Sequence, residues 1–223
     1  MRETSSIPDP REIEKMKRLG DFLKARKLAD YIELNRHAEP GGIVFAGDSI
    51  TEGFPVHELL RSGKRLYNRG IGGDTTTGLL HNIQHLILDL QPAQLFLMIG
   101  TNDLGEGEAP EAIAARIRDI CETVRRSLPE TAIVLLSLYP VNRDAEPDLP
   151  FPVVGSRTGE AILDINERLR QIAGELELDY ADIHALLTDE TGKLEATYTY
   201  DGLHLHARGY EVVKTHLQSR LLS

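Results

Sequence analysis

The sequence predicts an α/β fold in which a mainly parallel, five-stranded sheet is sandwiched between layers of helix. Two observations lead there. Apolar runs without alternation, Ile43–Ala46 and Leu95–Ile99 above all, read as strands covered on both faces. The longer segments between such runs carry apolar residues every three or four positions, the helical period, so that strands and helices alternate as in right-handed crossovers. At 223 residues the chain fits one domain with a large core, and no repeat or low-complexity segment divides it.

In chain order, Pro10 to about Arg36 reads as a helix carrying Ile13, Met16, Leu19, Phe22, Leu23 and Leu28 among many charges. It is expected to pack across the outside of the domain, with a dimer contact as the second reading. Glu39-Pro40-Gly41-Gly42 ends it and starts the strand Ile43–Ala46. Pro55 opens a short helix through Leu60, and Arg65–Asn68 is the second strand. Thr75–Leu90 reads as one helix with Leu79, Ile83, Leu86, Ile87 and Leu90 on a single face. Leu95–Gly100 is the third strand, Pro110–Ser127 an amphipathic helix and Ala132–Leu138 the fourth strand. Gly159–Leu176 is helical, Leu178–Ile183 is the fifth strand, and Ala207–Leu222 is a closing helix. Between them, Tyr139–Thr158 has four prolines and no period, and a loop of that length is usually functional or disordered. It is expected to form a wall or lid over a cleft through Tyr139, Val141 and Phe151, the alternative being a solvated loop or subunit contact.

Composition narrows the function. A formal net charge of −10 argues against a nucleic-acid or anionic-membrane binder, which needs a basic face. The single cysteine, Cys121, excludes an intrachain disulfide and falls on the apolar face of its helix, so it reads as packing. No signal-like segment opens the chain and no apolar run is long enough to span a membrane, so a soluble cytoplasmic protein is expected. His81, His85 and Asp89 have a helical metal-site spacing without a further ligand and read as a solvated face. Asn166 sits among apolar positions and reads as a hydrogen-bonded core amide.

The chemistry lies at strand ends. Three successive strands deliver polar groups to the same edge of the sheet: Ser49 after the first, Gly72-Gly73-Asp74 after the second, Thr101-Asn102-Asp103 after the third. Open α/β sheets bind ligands at that edge. Ester cleavage needs a nucleophile, a base, a group to orient the base, and donors for the developing oxyanion. Ser49 supplies the first. The Ser49 N–H, the N–H of a glycine after the second strand and an asparagine side chain beside it supply the donors. Near the C-terminus Asp201 and His204, three residues apart around Gly202, supply orienter and base.

Four segments together, Gly47-Asp48-Ser49-Ile50, Gly70-Ile71-Gly72-Gly73-Asp74, Gly100-Thr101-Asn102-Asp103 and Asp201-Gly202-Leu203-His204, resemble in order and spacing the four blocks of the SGNH (GDSL-type) hydrolases, with the platelet-activating-factor acetylhydrolase catalytic subunits nearest in pattern. The resemblance spans about Ile43 to the C-terminus, leaving 1–40 as a helical extension and 41–223 as the hydrolase domain. It implies a flavodoxin-like three-layer sandwich and a serine esterase acting through an acyl-enzyme. It also implies Ser49, His204 and Asp201 as catalytic residues, Ser49, Gly73 and Asn102 as the oxyanion hole, and no metal or cofactor. By similarity Ile50, which occupies the leucine position of the consensus, and Leu203 line a pocket for short acyl groups such as acetyl. The partner is then a small ester, and the resemblance leaves the oligomeric state open, a homodimer being one option because some relatives form dimers. A non-catalytic binding module on the same fold is the competing reading, and it predicts a gap in the four blocks. A dinucleotide or flavin site is set aside, because the residue three beyond Gly72 is Thr75 and no phosphate cradle is visible.

Overall fold

The computed structural model describes residues 9–148 and 151–222 and contains one sheet of five strands: β1 (Ile43–Gly47), β2 (Leu66–Gly70), β3 (Gln94–Met98), β4 (Ala132–Leu136) and β5 (Asp179–Ala181). Their order is β2-β1-β3-β4-β5, every pairing is parallel, and helices cover both sides. The chain therefore steps from β1 to one side and then crosses back to the other. The crevice of such a sheet opens beyond the carboxyl ends of β1 and β3, where the direction reverses.

Register makes that crevice level. Gly47 at the end of β1 pairs with Gly70 of β2 and Met98 of β3, so the three following segments leave the sheet side by side. Gly47 is required there: a Cβ would lie 2.1 Å from the Met98 carbonyl oxygen. Ile43, Val44, Phe45 and Ala46 are buried, and Phe45 stacks on Phe96 with ring centroids 4.7 Å apart. Ile43, Val44 and Phe45 each contribute about 1.5–3 kcal/mol through removal from water, which the uninterrupted apolar run already foretold.

The helices are α1 (Pro10–Asn35), α2 (Ser49–Glu52), α3 (Val56–Leu59), α4 (Thr76–His81), α5 (Ile83–Leu86), α6 (Thr101–Gly105), α7 (Pro110–Ser127), α8 (Gly159–Glu175), α9 (His184–Leu187) and α10 (Ala207–Leu217). Proline opens α7 in its first turn, and Ile113, Ile117, Ile120, Cys121 and Val124 form its buried stripe. Cys121 is fully buried and its thiol is pushed up to about 12, chiefly by desolvation, as befits a packing residue. Asn166 of α8 accepts from the Leu138 N–H at 2.7 Å and donates to its carbonyl at 3.0 Å, satisfying the backbone where β4 ends. No helix among the described residues is long and apolar enough to cross a membrane.

Four expectations are corrected. The single helix over Thr75–Leu90 is instead α4, α5 and a 3₁₀ turn at Leu88–Leu90. Asn82 leaves helical geometry at φ −103°, ψ 16°, and its side chain donates to the Gly78 carbonyl at 2.9 Å, competing with the helix ladder. The apolar side chains still face inward, which is why their period looked continuous. The break also separates His81 from His85, whose Nδ1 pairs with Asp89 at 2.9 Å. The closing helix ends at Leu217 and continues as a 3₁₀ turn over Gln218–Arg220, and the fifth strand is trimmed to three residues.

The fourth correction concerns α1, of which only the second half packs on the domain. Tyr31 is buried and donates to the Gly70 carbonyl at 2.7 Å, while Asn35 donates to the His85 carbonyl at 2.7 Å. Ile13, Met16, Leu19, Phe22 and Leu23 of the first half are exposed.

Candidate active site

Asp48 caps α2 by accepting the Ile50 N–H at 2.9 Å, which starts a helix immediately after β1 and places Ser49 at its first position. Tyr210 of α10 donates to the Ile50 carbonyl at 2.7 Å and its ring stacks on Phe54, tying the C-terminal helix to this turn. The His204 turn is built as tightly. Thr199 Oγ1 accepts the Gly202 N–H at 2.9 Å and donates to the His204 carbonyl at 2.7 Å. Gly202 takes φ +83°, and a Cβ there would meet the Asn142 carbonyl oxygen at 2.2 Å, so only glycine fits.

The two turns meet. Ser49 Oγ lies 2.8 Å from His204 Nε2 across 155 positions of sequence, and His204 Nδ1 lies 2.7 Å from Asp201 Oδ2. The other oxygen of Asp201 accepts the N–H groups of Leu203 at 3.0 Å and His204 at 2.7 Å, so the carboxylate is held from three directions. A half-buried hydroxyl, an imidazole and a buried carboxylate in this order have the geometry through which a ring can take a hydroxyl proton while the acid fixes its tautomer. Tyr200, exposed, stacks on the His204 ring at 5.9 Å between centroids.

The turn expected to supply donors lies next to Ser49. A methyl at Gly72 would stand 3.9 Å from Ser49 Cβ, and Asn102 Nδ2 reaches the Asp74 carbonyl at 2.8 Å, so the 72–74 turn sits between Ser49 and Asn102. Among the described residues the N–H groups of Ser49 and Gly73 donate to nothing, while the Gly72 N–H is taken by Glu52 Oε2 at 2.6 Å. The other oxygen of Glu52 pairs with Lys27 of α1 at 2.7 Å, and Lys24 reaches the Gly73 carbonyl at 3.4 Å. Glu52, Lys24 and Lys27 have no motif that marks them in sequence.

Beneath this surface are buried carboxylates. Desolvation pushes Asp48 up to about 7, helped by Asp74 and Asp103 and opposed by the Ile50 N–H and Arg157. Asp74 is pushed up to about 6, again mainly by burial. Asp103 is held by the Thr76 N–H and hydroxyl and by Arg116. Because unfolding returns Asp48 to 3.8, the stabilisation is fully present below that value and is lost as pH rises through about 7. Asp48→Asn keeps an acceptor for Ile50 and is expected to flatten the fall in Tm between about pH 4 and about pH 7. Thermal melts across that range check this, and an unchanged slope would remove Asp48 as its source.

The expected acyl-pocket residues do not gather around an open cleft. Ile50 and Tyr139 instead line a small internal void beside Phe45, Phe54 and Phe96, and Tyr139, only 6% exposed, faces the core. Its phenol lies well above its ordinary value because it is desolvated. Leu203 is buried, Val141 is half-buried and Phe151 is exposed. An apolar residue beside a catalytic block reads alike whether it faces core or cleft, and here the core took it.

Residues 149 and 150 of the 139–158 segment lie outside the described residues, and its two described ends brace the site. The Asn142 N–H donates to the Gly202 carbonyl at 2.8 Å. At the other end Arg157, 8% exposed, donates through Nε to the Thr101 carbonyl at 2.7 Å and through Nη2 to Asn102 Oδ1 at 3.0 Å. Sequence reasoning missed Arg157, since an arginine in a proline-rich loop carries no sign of being buried.

The chain resembles known proteins in sequence and fold. Residues 45–212 match the GDSL-like Lipase/Acylhydrolase family. A solved protein of Streptococcus pneumonia, named for platelet activating factor, is 30% identical, with 96% of this chain and 100% of that chain covered and a TM-score of 0.89. A GDSL-like lipase of Bacteroides thetaiotaomicron, 22% identical over 86% of this chain and 97% of its own, shares the fold with a TM-score of 0.73. A GDSL esterase/lipase of Arabidopsis thaliana is 24% identical over 212 residues, which cover 80% of this chain and 85% of that one. An N-acylneuraminate cytidylyltransferase of Escherichia coli is 28% identical over 127 residues, 55% of this chain but 27% of that protein. The chain belongs to the GDSL-like lipase/acylhydrolase family and is a hydrolase acting on ester bonds.

Proposed function

We propose that the protein is a serine esterase that cleaves carboxylic esters of short acyl groups, acetyl among them, through an acyl-enzyme. The observation that carries this reading is the continuous relay from Ser49 Oγ to His204 to Asp201, set beside a turn whose Gly73 N–H is free.

Ser49 Oγ attacks the acyl carbon as its proton passes to His204 Nε2, and the carbonyl oxygen takes up the negative charge. The Ser49 and Gly73 N–H groups and Asn102 Nδ2 donate to that oxygen, a role that elsewhere contributes about 2.7–4 kcal/mol per donor. As the tetrahedral species collapses, the carbon–oxygen bond to the leaving group breaks and His204 returns the proton to the departing alcohol. Water then repeats the sequence on the acyl-serine, with His204 as base, and releases the acid. Asp201 keeps its charge throughout and stabilises the imidazolium.

Support for a short acyl group comes from burial. Ile50 and Leu203, the apolar neighbours of Ser49 and His204, are only 2% and 4% exposed, so little apolar surface beside the nucleophile is left to cover a long chain. Nitrophenyl acetate is therefore expected to be cleaved with a higher kcat/KM than the octanoate, and a reversed order would refute the short-chain assignment. Acetylated sugars, thioesters and lipids, run against wild type and Ser49→Ala, would then identify the leaving group.

A further inference from the structure

We propose that Arg157 is a positioning residue for the reaction, locking the Asn102 amide in the one orientation that turns its N–H₂ group toward the oxyanion. The inference rests on the esterase reading above and deepens it.

A primary amide is nearly symmetric in shape, and a flip exchanges a donor for an acceptor. An Asn102 turned the wrong way would aim an oxygen at the developing negative charge and oppose the reaction. Two contacts forbid this. On one side Nδ2 donates to the Asp74 carbonyl at 2.8 Å, and on the other Oδ1 accepts from Arg157 Nη2 at 3.0 Å. A guanidinium has only donors, so a flipped amide would set N–H against N–H at one end and oxygen against oxygen at the other. With one N–H of Nδ2 spent on Asp74, the second remains for the substrate.

Arg157 is itself anchored rather than free to follow the amide. Its Nε donates to the Thr101 carbonyl at 2.7 Å and hydroxyl at 3.1 Å, and its Nη1 to the carbonyls of Val153 at 3.2 Å and Val154 at 3.1 Å. The charge is buried, and a charged donor on the amide oxygen draws electron density from the nitrogen, which strengthens the remaining N–H as a donor. The proline-rich segment after β4 thus reaches the reaction through Asn102 and not through a wall of apolar side chains.

The anchoring bonds to Thr101, Val153 and Val154 also make Arg157 a support for its own loop, so loss of activity on its removal would be ambiguous alone. A double-mutant cycle separates the two roles. Asn102→Ala is expected to lower kcat by about 10²- to 10³-fold, the usual loss on deleting an oxyanion donor. Arg157→Met is expected to lower kcat by about tenfold or more with KM changed less than about twofold, since the interaction exists only in the transition state. In the Asn102→Ala background the same change is expected to cost less than about twofold. Arg157→Lys, which keeps a charge and a donor, should recover part of the rate and carries the same cycle if the Met variant does not fold. An equal loss in both backgrounds, or full kcat in Arg157→Met, would overturn the inference and leave the esterase reading standing. Full rate in Asn102→Ala would instead remove the amide as an oxyanion donor, and the role of Arg157 with it.

Discussion

Ser49→Ala is expected to lower kcat by about 10⁴-fold or more with folding unchanged, the largest effect of any single substitution in this chain. The expectation rests on there being no substitute nucleophile. Cys121 is buried in α7 with its thiol pushed up to about 12, and Thr51, two residues further along α2, is buried. Alanine removes one hydroxyl from a half-buried position and leaves the cap of α2 on Asp48 intact, so the melting temperature should hold. A residual rate above water from the donors alone is consistent with this, because they stabilise charge without the nucleophile. Steady-state kinetics on a nitrophenyl ester, paired with a thermal melt, decide the matter. Activity within tenfold of wild type in a folded Ser49→Ala protein would end the acyl-enzyme mechanism.

Asp201→Asn is expected to cost about 10⁴-fold in kcat, although it changes neither size nor shape. The argument is one of tautomers. Asp201 Oδ1 accepts the N–H groups of Leu203 and His204, so an asparagine would keep its oxygen on those two donors and turn its N–H₂ toward His204 Nδ1. That nitrogen would then have to accept, the ring proton would move to Nε2, and the face toward Ser49 Oγ would offer a donor where the mechanism needs a base. The turn stays folded while the chemistry stops. Comparison of kcat with the melting temperature checks this, and nitrogen-15 spectra of the imidazole would report the tautomer directly. A near-normal rate would mean that His204 is oriented by something other than Asp201.

Much of this could be read from the chain because strand and motif signals reinforce each other. Unbroken apolar runs at Ile43–Ala46 and Leu95–Met98 locate β1 and β3, and the polar residues that follow each run fall at one sheet edge because parallel strands share a direction. Ser49, Asp201 and His204 come within hydrogen-bonding reach of one another. What stayed hidden depends on facing and not on period. The side chains of Ile50 and Tyr139 turn to the core, and only packing against Phe45 and Phe54 decides that. Arg157 is invisible for the opposite reason: its burial is made tolerable by five backbone and side-chain acceptors that lie far away in sequence or within an irregular loop.

The second half of α1 touches the turn after β2 at three places: Tyr31 on the Gly70 carbonyl, Lys24 on the Gly73 carbonyl, and Lys27 through Glu52 on the Gly72 N–H. The family match begins at residue 45, downstream of all three. The stretch that the family model matches and the stretch that braces the Gly70–Gly73 turn therefore have different boundaries. The leading helix works as a splint, and a shortened chain that kept every matched residue would still lose the outer support of the segment carrying Gly73.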